Sequence, residues 1–323
     1  VYPDDGNDVE TIMQNADTAM FHAKTNGRNN FQFFRDHMNI NAVHRLTVES
    51  SLRRALKQEE FLLHYQPKVN LASGALTGAE ALIRWQDPDI GMIYPGQFVS
   101  IAEACGLIVP IGHWVLREAC RQVRAWLDSG LPAVPVAVNI SAVEFRHIGF
   151  VEGVASILKE TGLAPEFLQL ELTESILMHD ADSSALVLDA LKAMGVRLAI
   201  DDFGTGYSSL SYLKRFPIDT LKIDQSFVRD IVTDTDDATI VSAVIGMGKN
   251  LKQRVIAEGV ETQAQFEFLR DQQCDEGQGF HFSHSLPALD FSFLLADGNC
   301  LISQNAGDAE TDSSLKRSPP LSI

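Results

Sequence analysis

Apolar and polar positions along the chain follow two rhythms. Short runs carry apolar side chains continuously or at every second residue, and longer stretches between them repeat at three and four. The short runs predict eight strands, at 61–69, 77–85, 134–140, 167–173, 196–202, 218–224, 254–260 and 277–283. Helical spacing fills 110–128, 143–161, 182–194, 236–250 and 262–272. Repeated strand–helix units predict an α/β fold, with a mostly parallel sheet and helices outside it. The link from Asn70 to Leu76 is too short for a crossover helix and contains Gly74. It predicts a hairpin, and therefore one strand antiparallel to its neighbour. Eight strands within about 240 residues fit a TIM-like (β/α)8 barrel with one antiparallel strand, and a doubly wound open sheet is the alternative. Ahead of this pattern, Asp8 to Lys24 reads as an amphipathic helix with Ile12, Met13, Ala16, Ala19, Met20 and Ala23 at helical spacing. A short strand is expected at 30–34 and a joining helix up to residue 58.

The polar residues within the strands decide between the two sheets. Parallel strands covered by helices on both sides are expected to be apolar nearly throughout. Here Glu80, Asn139, Glu171, Asp201, Asp202, Lys222, Glu258, Glu261 and Gln278 fall in or at the ends of seven different runs. An open sheet gathers such residues at one crevice, whereas a barrel places them around the C-terminal rim of all its strands. The barrel is therefore expected. Asp201 and Asp202 end the run Val196-Arg-Leu-Ala-Ile200, and strict alternation puts Asp201 with Ala199 on one side and Asp202 with Leu198 and Ile200 on the other. In Leu168-Gln-Leu-Glu-Leu-Thr173, Glu171 shares a side with Gln169 and Thr173, which in a barrel is the interior.

Composition sharpens the picture. The chain has 323 residues, 45% of them hydrophobic, with a formal charge of −17. That excess of acid argues against a nucleic-acid polymer or an anionic membrane surface as the partner. Four cysteines form no C-x-x-C pair, as expected of reduced thiols in a cytoplasmic protein. No apolar run is long enough to span a bilayer, so no membrane contact is expected within this fragment. A first residue of Val is expected of a piece of a longer protein, which could be anchored upstream. Carboxylates crowded at one rim require cations. Hard oxygen donors without His or Cys suit Mg²⁺ or Mn²⁺ and argue against zinc. A pair of such ions can activate a water for in-line attack on phosphorus. Walker, G-x-S-x-G and H-E-x-x-H motifs are absent from the sequence.

The ordered motifs Tyr65-Gln66-Pro67, Glu80-Ala81-Leu82 with Arg84-Trp85, Asn139-Ile-Ser, Glu171-Leu-Thr-Glu174, Asp201-Asp202-Phe-Gly-Thr-Gly, Lys222-Ile-Asp224, Glu258-Gly-Val-Glu261 and Gln278-Gly-Phe280 resemble those of EAL-domain cyclic-di-GMP phosphodiesterases. The resemblance implies hydrolysis of cyclic di-GMP to linear pGpG with two Mg²⁺ or Mn²⁺ ions, and a homodimer. It makes Glu80, Asn139, Glu171, Asp201, Asp202 and Glu258 metal ligands, with Lys222, Glu258 and Glu80 catalytic. Lys222 would orient or deprotonate the attacking water. Gln66, Leu82, Arg84, Asn139, Asp224, Glu261 and Gln278 would meet the substrate, and Glu174 would anchor the 202–210 loop. A receptor that binds the nucleotide without turnover is the alternative. Phe280 stands where that family usually has Tyr, and Ser285 where Pro is common. Tyr2-Pro-Asp-Asp-Gly6, Ala16-Asp-Thr-Ala-Met20 and Gly27-Arg-Asn-Asn30 resemble the C-terminal end of GGDEF-type domains. The expected organisation is thus a GGDEF-like remnant at 1–36, a linker helix at 37–58, the barrel at 59–300 and a flexible tail at 301–323.

Overall fold

A computed structural model describes residues 2–3, 8–25, 31–205 and 210–298. Ten strands form one sheet: β1 (Phe61–Asn70), β2 (Leu76–Asp87), β3 (Gly91–Ile93), β4 (Val136–Asn139), β5 (Leu168–Thr173), β6 (Arg197–Phe203), β7 (Thr220–Ile223), β8 (Arg254–Ala257), β9 (Glu276–Gly277) and β10 (Leu286–Pro287). Their order is β10-β1-β9-β8-β7-β6-β5-β4-β2-β3, and a further β1–β2 pairing closes the ring. The ring therefore has eight members, with β3 and β10 appended, and the open-sheet alternative is excluded. Strands β2, β4, β5, β6, β7, β8 and β9 run parallel in sequence around it, while β1 is antiparallel to β9. The Asn70–Leu76 hairpin supplies this reversal, with Gly74 at φ 72° and its N–H donating to the Asn70 carbonyl.

The apolar core lies between the ring and the helices. Leu168, Leu170 and Leu172 of β5, Leu198 and Ile200 of β6, and Leu221 and Ile223 of β7 are essentially fully buried. Helices Ile108–Asp128, Ala181–Ala193 and Thr235–Leu251 pack on β4, β6 and β8 respectively. Around Tyr65, the rings of Trp126 and Phe291 lie 4.9 and 5.9 Å away. The inward positions are different in kind: Lys68, Glu80, Gln169, Glu171, Thr220 and Lys222 are buried polar groups. They bring charge and hydrogen bonding into the interior, beside Ala137, Ala199 and Ile256, which pair in register with Gln169, Glu171 and Lys222.

Several expected boundaries shift. The helix anticipated over 143–161 is two, Ala142–Phe145 and Phe150–Thr161. Gly149, at φ 88°, separates them, because that left-handed conformation is incompatible with a continuing helix. The strands expected at 254–260 and 277–283 end at Ala257 and Gly277. Gly259, at φ 67°, turns the chain out of β8, so Glu258 and Glu261 lie on the following loop and not on the strand. The strands β3 and β10 are too short to register as periodic runs.

The described chain divides into two compact units, one ending at Phe61 and rejoined by Trp85–Leu107, the other comprising Leu62–Arg84 and Ile108 onward. In the first, Arg54 of the helix Asp36–Gln58 pairs with Glu60 at 2.9 Å and Asp87 at 2.7 Å, and Trp85 donates to Glu60. The helix Val9–Thr25 is present as expected, but described residues 31–34 form no strand. Residues 26–30 and the anticipated tail at 301–323 lie outside the described residues.

Candidate functional site

Lys222 is the midpoint of the site. It occupies an inward position of β7, has no solvent exposure, and is surrounded by acids from four other strand ends. Its Nζ lies 2.5 Å from Glu171 Oε2, 2.6 Å from Glu258 Oε1, 3.1 Å from Asp201 Oδ1 and 3.7 Å from Glu80 Oε2. Glu171, itself fully buried, also receives Lys68 Nζ at 2.6 Å through its other oxygen. Burial alone drives a lysine towards the neutral form, but here Glu171, Glu258, Glu80 and Asp201 outweigh it and hold Lys222 well above its ordinary pKa. In this arrangement it is an ammonium donor and not a base.

Glu80 is fixed at both ends. Asn139 Nδ2 donates to its Oε1 and Gln278 Nε2 to its Oε2, each at 2.6 Å. Burial raises its pKa, yet Lys222, Lys68 and these two amides together hold it below the usual carboxylate range. Gln278 Nε2 also reaches Gln66 Oε1 at 3.1 Å, and Gln66 in turn donates to the Ser283 carbonyl. Thus side chains from β1, β2, β4 and the segment after β9 form one chain of hydrogen bonds.

The alternation argument misplaced Asp202. Between β6 and β7 the pairing shifts: Ile200 faces Leu221 and Phe203 faces Ile223, so two residues of β6 stand opposite Lys222. This is a β-bulge, and Asp202 takes it up with φ 53°. The extra residue brings both aspartates to the same side. Carboxylate oxygens of Asp201, Asp202 and Glu258 come within 4.8 Å of one another. Crowding and burial raise both flanking groups: Asp202 to about 6, through burial and then Asp201 and Asp224, and Glu258 to about 8, chiefly through burial.

These residues suit a hard divalent cation. The donors are carboxylate and amide oxygens, and three carboxylates already converge at a spacing one ion could bridge. Beside them a cleft of about 220 Å³ is lined by Gln66, Glu80, Gln225, Glu258, Gly259, Glu261, Gln278, Gly279 and Phe280. Gln278 Oε1 is buried and has no hydrogen-bond partner among the described residues. Sequence reasoning missed Lys68, Gln225 and the placement of Phe280 on the cleft. Lys68 carried a signal, since it follows Gln66 by two and so shares its inward side.

Other expected residues lie at the margin. Asp224 caps the helix Gln225–Arg229 by accepting from Ser226 N–H. Arg84 donates to Ser285 Oγ at 2.9 Å and to the Ile83 carbonyl, and neither it nor Leu82 lines the cleft. The Glu261 side chain faces the cleft while its N–H donates to Gln265. Glu174 is buried, and neither of its carboxylate oxygens has a partner among the described residues. Residues 206–209 of the loop it was expected to anchor lie outside that set.

The family described as EAL domain matches residues 49–285. The chain is 51% identical over 288 residues to the bifunctional diguanylate cyclase/cyclic di-GMP phosphodiesterase MucR of Pseudomonas aeruginosa, covering 89% of this chain and 42% of that protein. It is 44% identical over 287 residues to the cyclic di-GMP phosphodiesterase NbdA of the same organism, covering 89% of this chain and 37% of that protein. The chain thus spans about two-fifths of the length of these relatives. Among solved structures, the PaMucR phosphodiesterase in complex with c-di-GMP superposes with a TM-score of 0.74 at 51% identity, covering 76% of this chain and 99% of that one.

Proposed function

Since the chain belongs to the EAL domain family, we propose that it is a metal-dependent phosphodiesterase that opens cyclic di-GMP to linear pGpG by attack of water on one phosphorus. The observation that carries this reading is the convergence of Glu80, Glu171, Asp201 and Glu258 on one buried ammonium, with Asp202 brought alongside by the bulge. A structural ion pair needs one acid, and four around one lysine leave room for added positive charge. The similarity to MucR and NbdA supports the same substrate.

Glu80, Asn139, Glu171, Asp201, Asp202 and Glu258 would hold Mg²⁺ or Mn²⁺, two ions in our reading. Such ions, when bound, polarise the phosphodiester and make water more acidic. The chain supplies the rest. Lys222 would donate to the attacking water or the phosphate and fix its approach, since its charge is locked in by neighbouring acids. Gln278 Oε1, unpartnered beside the cleft, would accept an N–H of the guanine, and Gln66 steadies that amide. Glu261 and Phe280 would line the base, with Arg84 meeting a phosphate after exchanging Ser285 for it. Asp224 would act by positioning the segment after β7, and Leu82 by packing at the rim.

The assignment extends to the ends of the chain. The 288-residue similarity to MucR exceeds the family match and everything after it, so part of it precedes residue 49. The GGDEF-like segment at 1–36 and the linker helix after it rest on the motifs Tyr2–Gly6, Ala16–Met20 and Gly27–Asn30. Exposed Ile148 and Leu186, beside a hollow of about 650 Å³, support a homodimer contact. No helix among the described residues is long and apolar enough to cross a membrane, and we place this part of the protein in the cytoplasm.

The test is incubation with cyclic di-GMP and Mg²⁺, resolved by chromatography. Accumulating pGpG is the expected result. Nucleotide binding without product would instead identify a receptor.

A further inference from the structure

The barrel has a second polar cavity at its other end. Its lining comes from the N-terminal ends of the parallel strands and the C-terminal half of reversed β1, whereas Asn139, Asp201 and Glu258 sit at the opposite, C-terminal ends. The cavity holds about 250 Å³ and is lined by Lys68, Gln169, Arg197, Lys252, Arg254 and Glu276, among others. We infer that it is a binding site for a small phosphate-bearing anion.

The argument begins with charge. Four cations face this space, against Glu276 and Asp219. Lys68 is committed to Glu171, Arg254 pairs with Glu276 at 3.3 Å, and Asp219 is held by Lys192 and the Leu198 N–H. Arg197 and Lys252 remain, and neither makes an ion pair among the described residues. In a chain with a net charge of −17, two uncommitted cations in one hollow stand out. Lys252 reaches it from a helix cap with φ 59°, where Gly or Asn would be less strained.

Hydrogen bonding gives an independent indication. Gln169 is 6% exposed, lines the cavity, and its Nε2 has no acceptor among the described residues. A buried donor without an acceptor is destabilising, so an acceptor is expected to occupy the space. Water alone could satisfy the amide, whereas one anion would meet the amide and both cations at once. A guanidinium fork, an ammonium and an amide donor together match several oxygens on one tetrahedral anion. The volume suits a phosphate or a small phosphomonoester.

The site is tested on the full chain with Mg²⁺ present, by calorimetric titration with inorganic phosphate and, separately, ribose 5-phosphate. The wild type is expected to bind at least one of them. Tighter phosphate binding would indicate the free ion, and tighter ribose 5-phosphate binding a phosphomonoester. The double variant Arg197→Gln/Lys252→Asn keeps polar side chains, and Asn tolerates the left-handed cap. It should weaken binding at least tenfold while cyclic di-GMP binding and turnover stay within twofold. Gln169→Leu, which removes only the buried amide, should also weaken anion binding. Binding of neither probe by the wild type, or unchanged affinity in both variants, would overturn the assignment. These titrations read occupancy directly, so their outcome is separate from whether the chain hydrolyses cyclic di-GMP.

Discussion

Lys222 Nζ and Glu171 Oε2 lie 2.5 Å apart, and neither side chain has any solvent exposure. Such a pair is stable only while both partners are present. Removing the ammonium leaves Glu171 leaning on Lys68 alone and leaves Glu258 and Asp201 without their shared cation.

The variant Lys222→Met is therefore expected to lose about 3–5 kcal/mol of stability without divalent metal, the cost of stripping one partner from a buried ion pair. Part of that loss should return when Mg²⁺ is added, because metal replaces the missing positive charge. Thermal unfolding with and without Mg²⁺ reads both effects. Turnover should fall at least about 100-fold even where Mg²⁺ restores the fold, since the donor to the reacting water is gone. Wild-type kcat in this variant would remove Lys222 from the reaction.

A second expectation concerns the bulge. Asp202 adopts φ 53°, a conformation that Asn accepts as readily as Asp. Asp202→Asn should therefore fold as stably as the wild type, or more so, because it removes one of two adjacent like charges. Metal affinity should nevertheless fall, with turnover following it. Equal metal affinity, measured by titration with Mn²⁺, would place Asp202 outside the ligand set.

Metal binding should also depend on pH. Burial raises Asp202 to about 6 and Glu258 to about 8, so at pH 6 Glu258 is largely protonated and Asp202 half so. Metal requires the ionised forms. Its affinity should rise as pH rises from 6 to 8 and flatten above that, with protons released on binding. Calorimetry in buffers of different ionisation enthalpy counts those protons. Affinity independent of pH over this range would mean neither acid meets the ion.

Much of this site is legible in the sequence for a physical reason. Parallel strands between layers of helices are expected to be apolar, so Glu80, Glu171 and Lys222 stand out against their neighbours. The closed ring follows from the number of such strands and from the short Asn70–Leu76 link. What escapes is whatever breaks a period. Asp202 changes sides because one extra residue is inserted at the bulge, which no alternation rule contains. The 143–161 helix divides because the four residues between Phe145 and Phe150 leave the helical path, ending at Gly149 with φ 88°. Lys68 shares the inward side of Gln66, but its importance depends on Glu171, 103 residues away.

The loops that complete the cleft rest on a crossing where only glycine fits. A Cβ at Gly279 would lie 2.1 Å from the Val260 carbonyl oxygen and 2.4 Å from its nitrogen. These are backbone atoms, and they are already engaged: Val260 N–H donates to the Gln278 carbonyl, and its own carbonyl accepts from His281. No rotamer change can relieve the contact, so the two loops must separate. Gly279→Ala should therefore displace Gln278 from Glu80 and Gln66 and open the cleft beside Phe280. The expected signature is a rise in KM of at least about tenfold, corresponding to loss of one or two good hydrogen bonds to the substrate. Metal affinity should change much less, because Asp201 and Asp202 are carried on β6. If KM stays at the wild-type value, Gln278 and Phe280 do not hold the base, and the nucleotide must be bound from the other side of the rim.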